Sequence, residues 1–160
     1  YAALEGLVIG GLTWFFEVPM ELPGIGILAA LLTFMILGAM IAIYRAGLIK
    51  WDRNLAIAVY SSLFAIILIY IFSFVGSITG WFHVPYIHGA GPVGIAFSLF
   101  VIGIGALCLV ADFDFIERGV QMGAPKQLEW RAAFGLMVTL VWLYLEILKL
   151  LAKIAIYSRR

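Results

Sequence analysis

Three stretches of this chain, Ile25–Tyr44, Leu55–Val75 and Val93–Ala111, contain no Asp, Glu, Lys or Arg, and a fourth opens at Ala132 and stays uncharged to Leu145. About 20 helical residues cross the roughly 30 Å hydrocarbon core of a bilayer. In lipid the backbone has no water to bond, so each such segment has to satisfy its own N–H and C=O groups, which a helix does. A fifth apolar segment, Tyr1–Phe16, contains Glu5 and starts with neither a methionine nor a polar flank, and is expected to be the clipped first span of a longer parent with at least one helix before it. The expected fold is therefore all-α: a polytopic transmembrane helix bundle in one domain over residues 1–160, with five spans near 1–16, 25–44, 55–75, 93–116 and 132–156.

Composition agrees with lipid as the solvent. The chain is 65% hydrophobic and 12% charged, whereas soluble domains run at about 45–50% apolar and about 25% charged. A net charge of +1 excludes a nucleic-acid partner, which requires Lys and Arg clustered on one face. No short apolar core is followed by a small-residue cleavage site, so none of the spans reads as a removable signal.

Loop charges orient the bundle. Arg45, Lys50 and Arg53 separate the second and third spans, and Arg118, Lys126 and Arg131 separate the fourth and fifth. Short loops rich in Lys and Arg stay cytoplasmic. The alternate loops, Glu17–Gly24 and Gly76–Gly91, hold neither residue type and are expected outside. Strict alternation sends Arg159 and Arg160 outside as well, against the same rule; the full crossing is preferred, with a re-entrant last segment as the alternative. Trp14, Tyr44, Trp51, Trp81 and Trp130 fall at the expected interfaces. Gly6 with Gly10, Gly38 with Ala42, and Gly94 with Ser98 have the small-residue spacing that permits close helix packing.

Carboxylates at membrane depth are costly and mark functional candidates. Glu5 has no cation within a helical turn and is an accessory polar candidate. In Asp112-Phe113-Asp114-Phe115-Ile116-Glu117-Arg118, the two aspartates lie about 200° apart around the helix and serve different purposes. Asp114 is placed to pair with Arg118 in the favourable acid-first order. Asp112 meets only Phe115 and Ile116 and needs a partner from another helix. Glu146 lies fifteen residues, about 22 Å of helix, beyond Arg131. Either Lys149 at i+3 neutralises it, or Lys149 snorkels away and Glu146 turns towards Asp112. Two carboxylates about 4 Å apart repel by about 4 kcal/mol at an effective dielectric of 20, so such a pair would share a proton. Its protonated form would tie two helices together, and its ionised form would attract a hard cation such as Ca²⁺.

The run Asp112–Ile116, the polar hairpin with Gly119–Lys126 and Glu129-Trp130, and then Leu143-Tyr144-Leu145-Glu146-Ile147-Leu148 resemble the Bax inhibitor family, in particular its bacterial YccA-like branch. The likeness is strongest from Gly91 to Lys153. What the resemblance implies is a seven-helix bundle around a central last helix, of which this chain carries the last five, in the bacterial cytoplasmic membrane. It also implies a pH-sensitive Ca²⁺ leak governed by two facing carboxylates, which map onto Asp112 and Glu146. The family pattern has Asp at the second position where this chain has Glu146, and basic latch residues on helices before Tyr1.

Other constellations carry less chemistry. His83 and His88 are five apart around Pro85 with no Glu nearby, which suits interface histidines or outer proton sensors better than metal ligands. Cys108, in an apolar run, reads as a small core residue. No phosphate-binding loop, Ser-His-Asp set or Cys-His set is present, so neither an enzyme nor a resident cofactor or fixed metal is expected. The expected partners are the bilayer and Ca²⁺ or protons transiently at Asp112 and Glu146. Lys149 and Asp114 join Glu5 as accessory polar candidates. An alternative is a regulatory protein that binds a membrane protease or other membrane complex, its acids being structural; a third is a transporter subunit with Glu5 or Glu146 as a proton relay.

Overall fold

The computed structural model describes residues 2–18, 21–79 and 89–159. Among these, five helices and no strand are found: α1 (Ala2–Glu17), α2 (Ile25–Arg45), α3 (Arg53–Thr79), α4 (Pro92–Gln121) and α5 (Gln127–Ser158). The last four are each long and apolar enough to cross a membrane. α1 has 16 residues, about 24 Å of axis. At 30 and 32 residues, α4 and α5 exceed the hydrocarbon thickness and carry the basic hairpin between them clear of it.

Local chemistry sets the helix ends. Pro92 sits in the first turn of α4, where its missing N–H removes no intrahelical bond. The two basic loops both begin at a glycine in the left-handed region, Gly47 (φ 68°) and Gly123 (φ 61°). At each, the glycine N–H reaches back three residues and the next N–H reaches back five: Gly47 to Tyr44 and Leu48 to Ile43, Gly123 to Val120 and Ala124 to Gly119. This pattern closes the exposed carbonyls of a helix C-terminus and needs a residue without a Cβ at its centre.

α5 is the hub: it packs against α1, α2 and α4, while α3 lies against α4. Ala29, Leu109, Leu143, Ile147 and Leu148 anchor the layer between α2, α4 and α5, and Val59, Ile66, Val101 and Ile104 anchor the layer between α3 and α4. Cys108 packs at the edge of the second layer, as a small core residue would. α1 contributes no fully buried residue, and Phe64, Phe72 and Phe74 of α3 point outward, as expected of faces solvated by lipid.

Two of the three small-residue motifs do not mark close approaches. A Cβ added at Gly6, Gly10 or Gly38 meets nothing within 4 Å, so these glycines face open space among the described residues. Tight contact occurs at Gly105, where a Cβ would come 3.0 Å from Leu143 Cδ1, and at Gly26, where it would strike Thr13 Cγ2. Gly26 is the point where three helices converge. Its N–H donates to Glu17 Oε1 at 3.2 Å, and Thr13 is hydrogen-bonded to the Tyr144 hydroxyl at 2.7 Å. Thr13 is β-branched and also donates to the Ile9 carbonyl at 2.8 Å, so it has little freedom to step aside.

Gly26→Ala is therefore expected to destabilise the bundle by about 1–3 kcal/mol, the usual cost of overpacking, while Gly38→Ala on the same helix leaves stability within about 0.5 kcal/mol. Unfolding of the two variants in bicelles, compared with the parent chain, measures the difference.

Candidate functional site

The polar groups at membrane depth collect along the seam between α4 and α5, and the antiparallel register of these helices decides who meets whom. Gly105 faces Leu143, Asp112 faces Gly135, and Ser98 faces Lys153. Asp112 consequently lies against the half of α5 nearest the basic hairpin. A Cβ on Gly135 would come 3.7 Å from Asp112 Oδ1, so the absence of a side chain there makes room for the carboxyl. The Thr139 hydroxyl sits beside it. The other oxygen, Oδ2, is buried with no hydrogen-bond partner among the described residues.

Glu146 lies seven residues beyond Thr139, about 10 Å further along α5. It is 2% exposed, the most deeply buried of the acidic residues. Two donors meet its Oε1: the Tyr70 hydroxyl of α3 at 3.0 Å and Lys149 Nζ at 2.6 Å. Lys149 Nζ also stands 5.0 Å from the centre of the Tyr70 ring, adding a cation–π contact. The three side chains thus form one closed group. Of the two arrangements open to Glu146 from sequence, the structure has the local pairing with Lys149. Asp112 and Glu146 are not in contact in it; they occupy two levels of the same seam with separate partners.

The remaining candidates have other company. Asp114 pairs with Arg118, Oδ2 to Nε 2.7 Å, outside the buried group. Glu5 is half-buried on α1. His83 and His88, with Trp81 and Tyr86, lie outside the described residues. No three His, Cys, Asp or Glu side chains gather to hold a metal ion among the described residues.

Two participants, Tyr70 and Thr139, were not picked out from sequence. Tyr70 is a phenol inside an otherwise apolar span, and its hydroxyl's need for a partner at that depth is the signal that marks it. Thr139 offers a hydroxyl at the matching level of α5. Lys153 sends its ammonium across the seam to the Gly94 carbonyl at 3.1 Å and to Ser98 Oγ at 2.9 Å. The small pair Gly94 and Ser98 therefore opens a notch that receives a lysine, in addition to bringing helices close.

The family model described as Bax inhibitor 1 like matches residues 1–156, almost the whole chain. No curated protein and no solved structure matches it. With its long apolar helices, the chain is a multi-pass membrane protein, and it belongs to the Bax inhibitor 1 like family.

Proposed function

We propose that this protein mediates a slow, pH-sensitive cation leak, Ca²⁺ being the ion that suits its oxygen ligands, with Asp112 and Glu146 as the gating carboxylates. In this arrangement the two act in series along the α4–α5 seam, at levels about 16 Å apart by helical rise from Gly135, which faces Asp112, to Glu146, and protonation at either removes a negative station from the path. The observation that carries the reading is the buried Asp112 Oδ2, which has no donor among the described residues. A carboxyl oxygen held at membrane depth in this way is costly unless a proton or a cation visits it. Glu146, the second station, accepts hydrogen bonds from a phenol and an ammonium. The membrane is expected to be the bacterial cytoplasmic membrane.

Proteoliposomes loaded with a Ca²⁺-sensitive dye test this. Influx is expected above that of protein-free liposomes and rising as the pH is raised through neutrality, because ionised carboxylates attract the cation. Asp112→Asn and Glu146→Gln should each lower influx about tenfold, corresponding to about 1.4 kcal/mol of lost attraction, and flatten the pH response. Influx equal to that of empty liposomes at every pH would end the reading.

The Glu146–Lys149 ion pair favours a second reading, a regulatory protein whose helix faces bind a membrane protease or another membrane complex. There the acids hold the bundle together and no ion moves. Lys149→Met leaves Glu146 with the Tyr70 hydroxyl alone and is expected to destabilise the fold by about 1–3 kcal/mol. Because deleting both partners of a buried pair costs less than deleting one, Glu146→Gln combined with Lys149→Met should recover part of that loss. Thermal unfolding in detergent reads both changes, and this second reading requires them without any influx.

A further inference from the structure

At the basic end of the bundle, a cavity of about 730 Å³ opens between the end of α2, the turn that follows it and the last turns of α4. Its volume lies in the range of small-molecule sites, and none of the residues discussed above as gating carboxylates lines it. Ile41, Phe113 and Leu136 line its apolar part, and Tyr44, Arg45, Lys50 and Trp51 line it from the end of α2 and the turn that follows. Apolar wall, aromatic groups and cations are the complements of acyl chain, glycerol ester and phosphate in a phospholipid.

Charge bookkeeping within the cavity points the same way. Asp114 is taken by Arg118 at 2.7 Å. Glu117 accepts hydrogen bonds from the Tyr44 hydroxyl at 2.5 Å and from Gln121 Nε2 at 3.4 Å. Arg45 and Lys50, in contrast, form no side-chain hydrogen bond or ion pair among the described residues. With Asp114 and Arg118 cancelling, Arg45 and Lys50 against Glu117 leave one unmatched positive charge, the complement of a single phosphodiester. The aromatic walls are also fixed in advance: Tyr44 packs on Phe113 with ring centres 5.8 Å apart, and Trp51 meets Tyr60 edge to face at 5.9 Å.

We infer that this cavity is a binding site for an anionic glycerophospholipid, with Arg45 and Lys50 on the phosphate, Trp51 at the glycerol level and the acyl chains along Ile41 and Phe113. A headgroup whose only charge is the phosphodiester fits; one that adds a quaternary ammonium places a second cation beside Arg45 and Lys50.

Native mass spectrometry of the detergent-purified chain, titrated with phosphatidylglycerol, phosphatidylcholine and free glycerol phosphate, tests this. One phosphatidylglycerol adduct is expected, about tenfold tighter than phosphatidylcholine. Arg45→Gln with Lys50→Gln should abolish the preference, whereas Lys126→Gln with Arg131→Gln, which removes the same charge from the same end but outside the cavity, should leave it. Lys50→Gln alone, in the exposed turn, should reduce it about threefold and serves if the double variant does not fold. Equal adducts of both lipids, or equal loss in the two double variants, would mean a nonspecific lipid shell and overturn the site; glycerol phosphate binding as tightly as the lipid would overturn the membrane as its source.

Discussion

A carboxylate surrounded by hydrocarbon has no water to turn to, and the bundle meets that constraint at Glu146 with two donors on one oxygen, the Tyr70 hydroxyl and Lys149 Nζ. Much of the architecture follows from it. Tyr70 belongs to α3, which touches the rest of the bundle through α4, so the hydrogen bond ties the peripheral helix to the hub. Lys149 lies one turn further along α5 and is part exposed, its ammonium near the edge of the bundle while its stem packs within it. Lys153 repeats the solution one turn later, using the Gly94 carbonyl and Ser98 as its partners. The half of α5 away from the basic hairpin therefore carries Glu146, Lys149 and Lys153 in a file, each with a polar partner.

Asp112 is the contrasting case. It occupies the other half of the seam, where Gly135 leaves room for its carboxyl and Thr139 offers one hydroxyl, but its second oxygen is buried without a donor. Glu146 thus has two donors on one oxygen, whereas one oxygen of Asp112 has none among the described residues. The family to which the chain belongs makes it a membrane protein; the asymmetry between the two carboxylates is a property of these residues and this register.

Much of the fold was legible because lipid simplifies the code. Charge-free runs give helices, and the charged residues that interrupt them give the connecting loops. The pairing of Asp114 with Arg118 also followed from spacing along one helix, and the Bax inhibitor likeness of the stretch from Asp112 to Leu148 agreed with the family that the whole chain matches. The candidate site was legible in its residues and not in its contacts. Gly6, Gly10 and Gly38 have the spacing of packing motifs yet face open space among the described residues, while Gly105, which has no small residue four positions away, admits Leu143. A local pattern records which face is small; it does not record whether a helix stands opposite.

The sequence by itself determined the number and approximate course of the apolar helices, the basic loops and the short set of ionisable groups expected at depth, because each of these depends on residues close together in the chain and on the cost of charge in hydrocarbon. Only the tertiary structure decided that Asp112 lies level with Gly135 and Thr139, that Glu146 finds Tyr70, and that Arg45 and Lys50 share a cavity with Phe113 and Trp51. Those depend on the register of α4 against α5 and on which helix lies beside which, and register is set by the summed packing of many side chains from distant parts of the chain, a quantity that no single stretch of sequence contains.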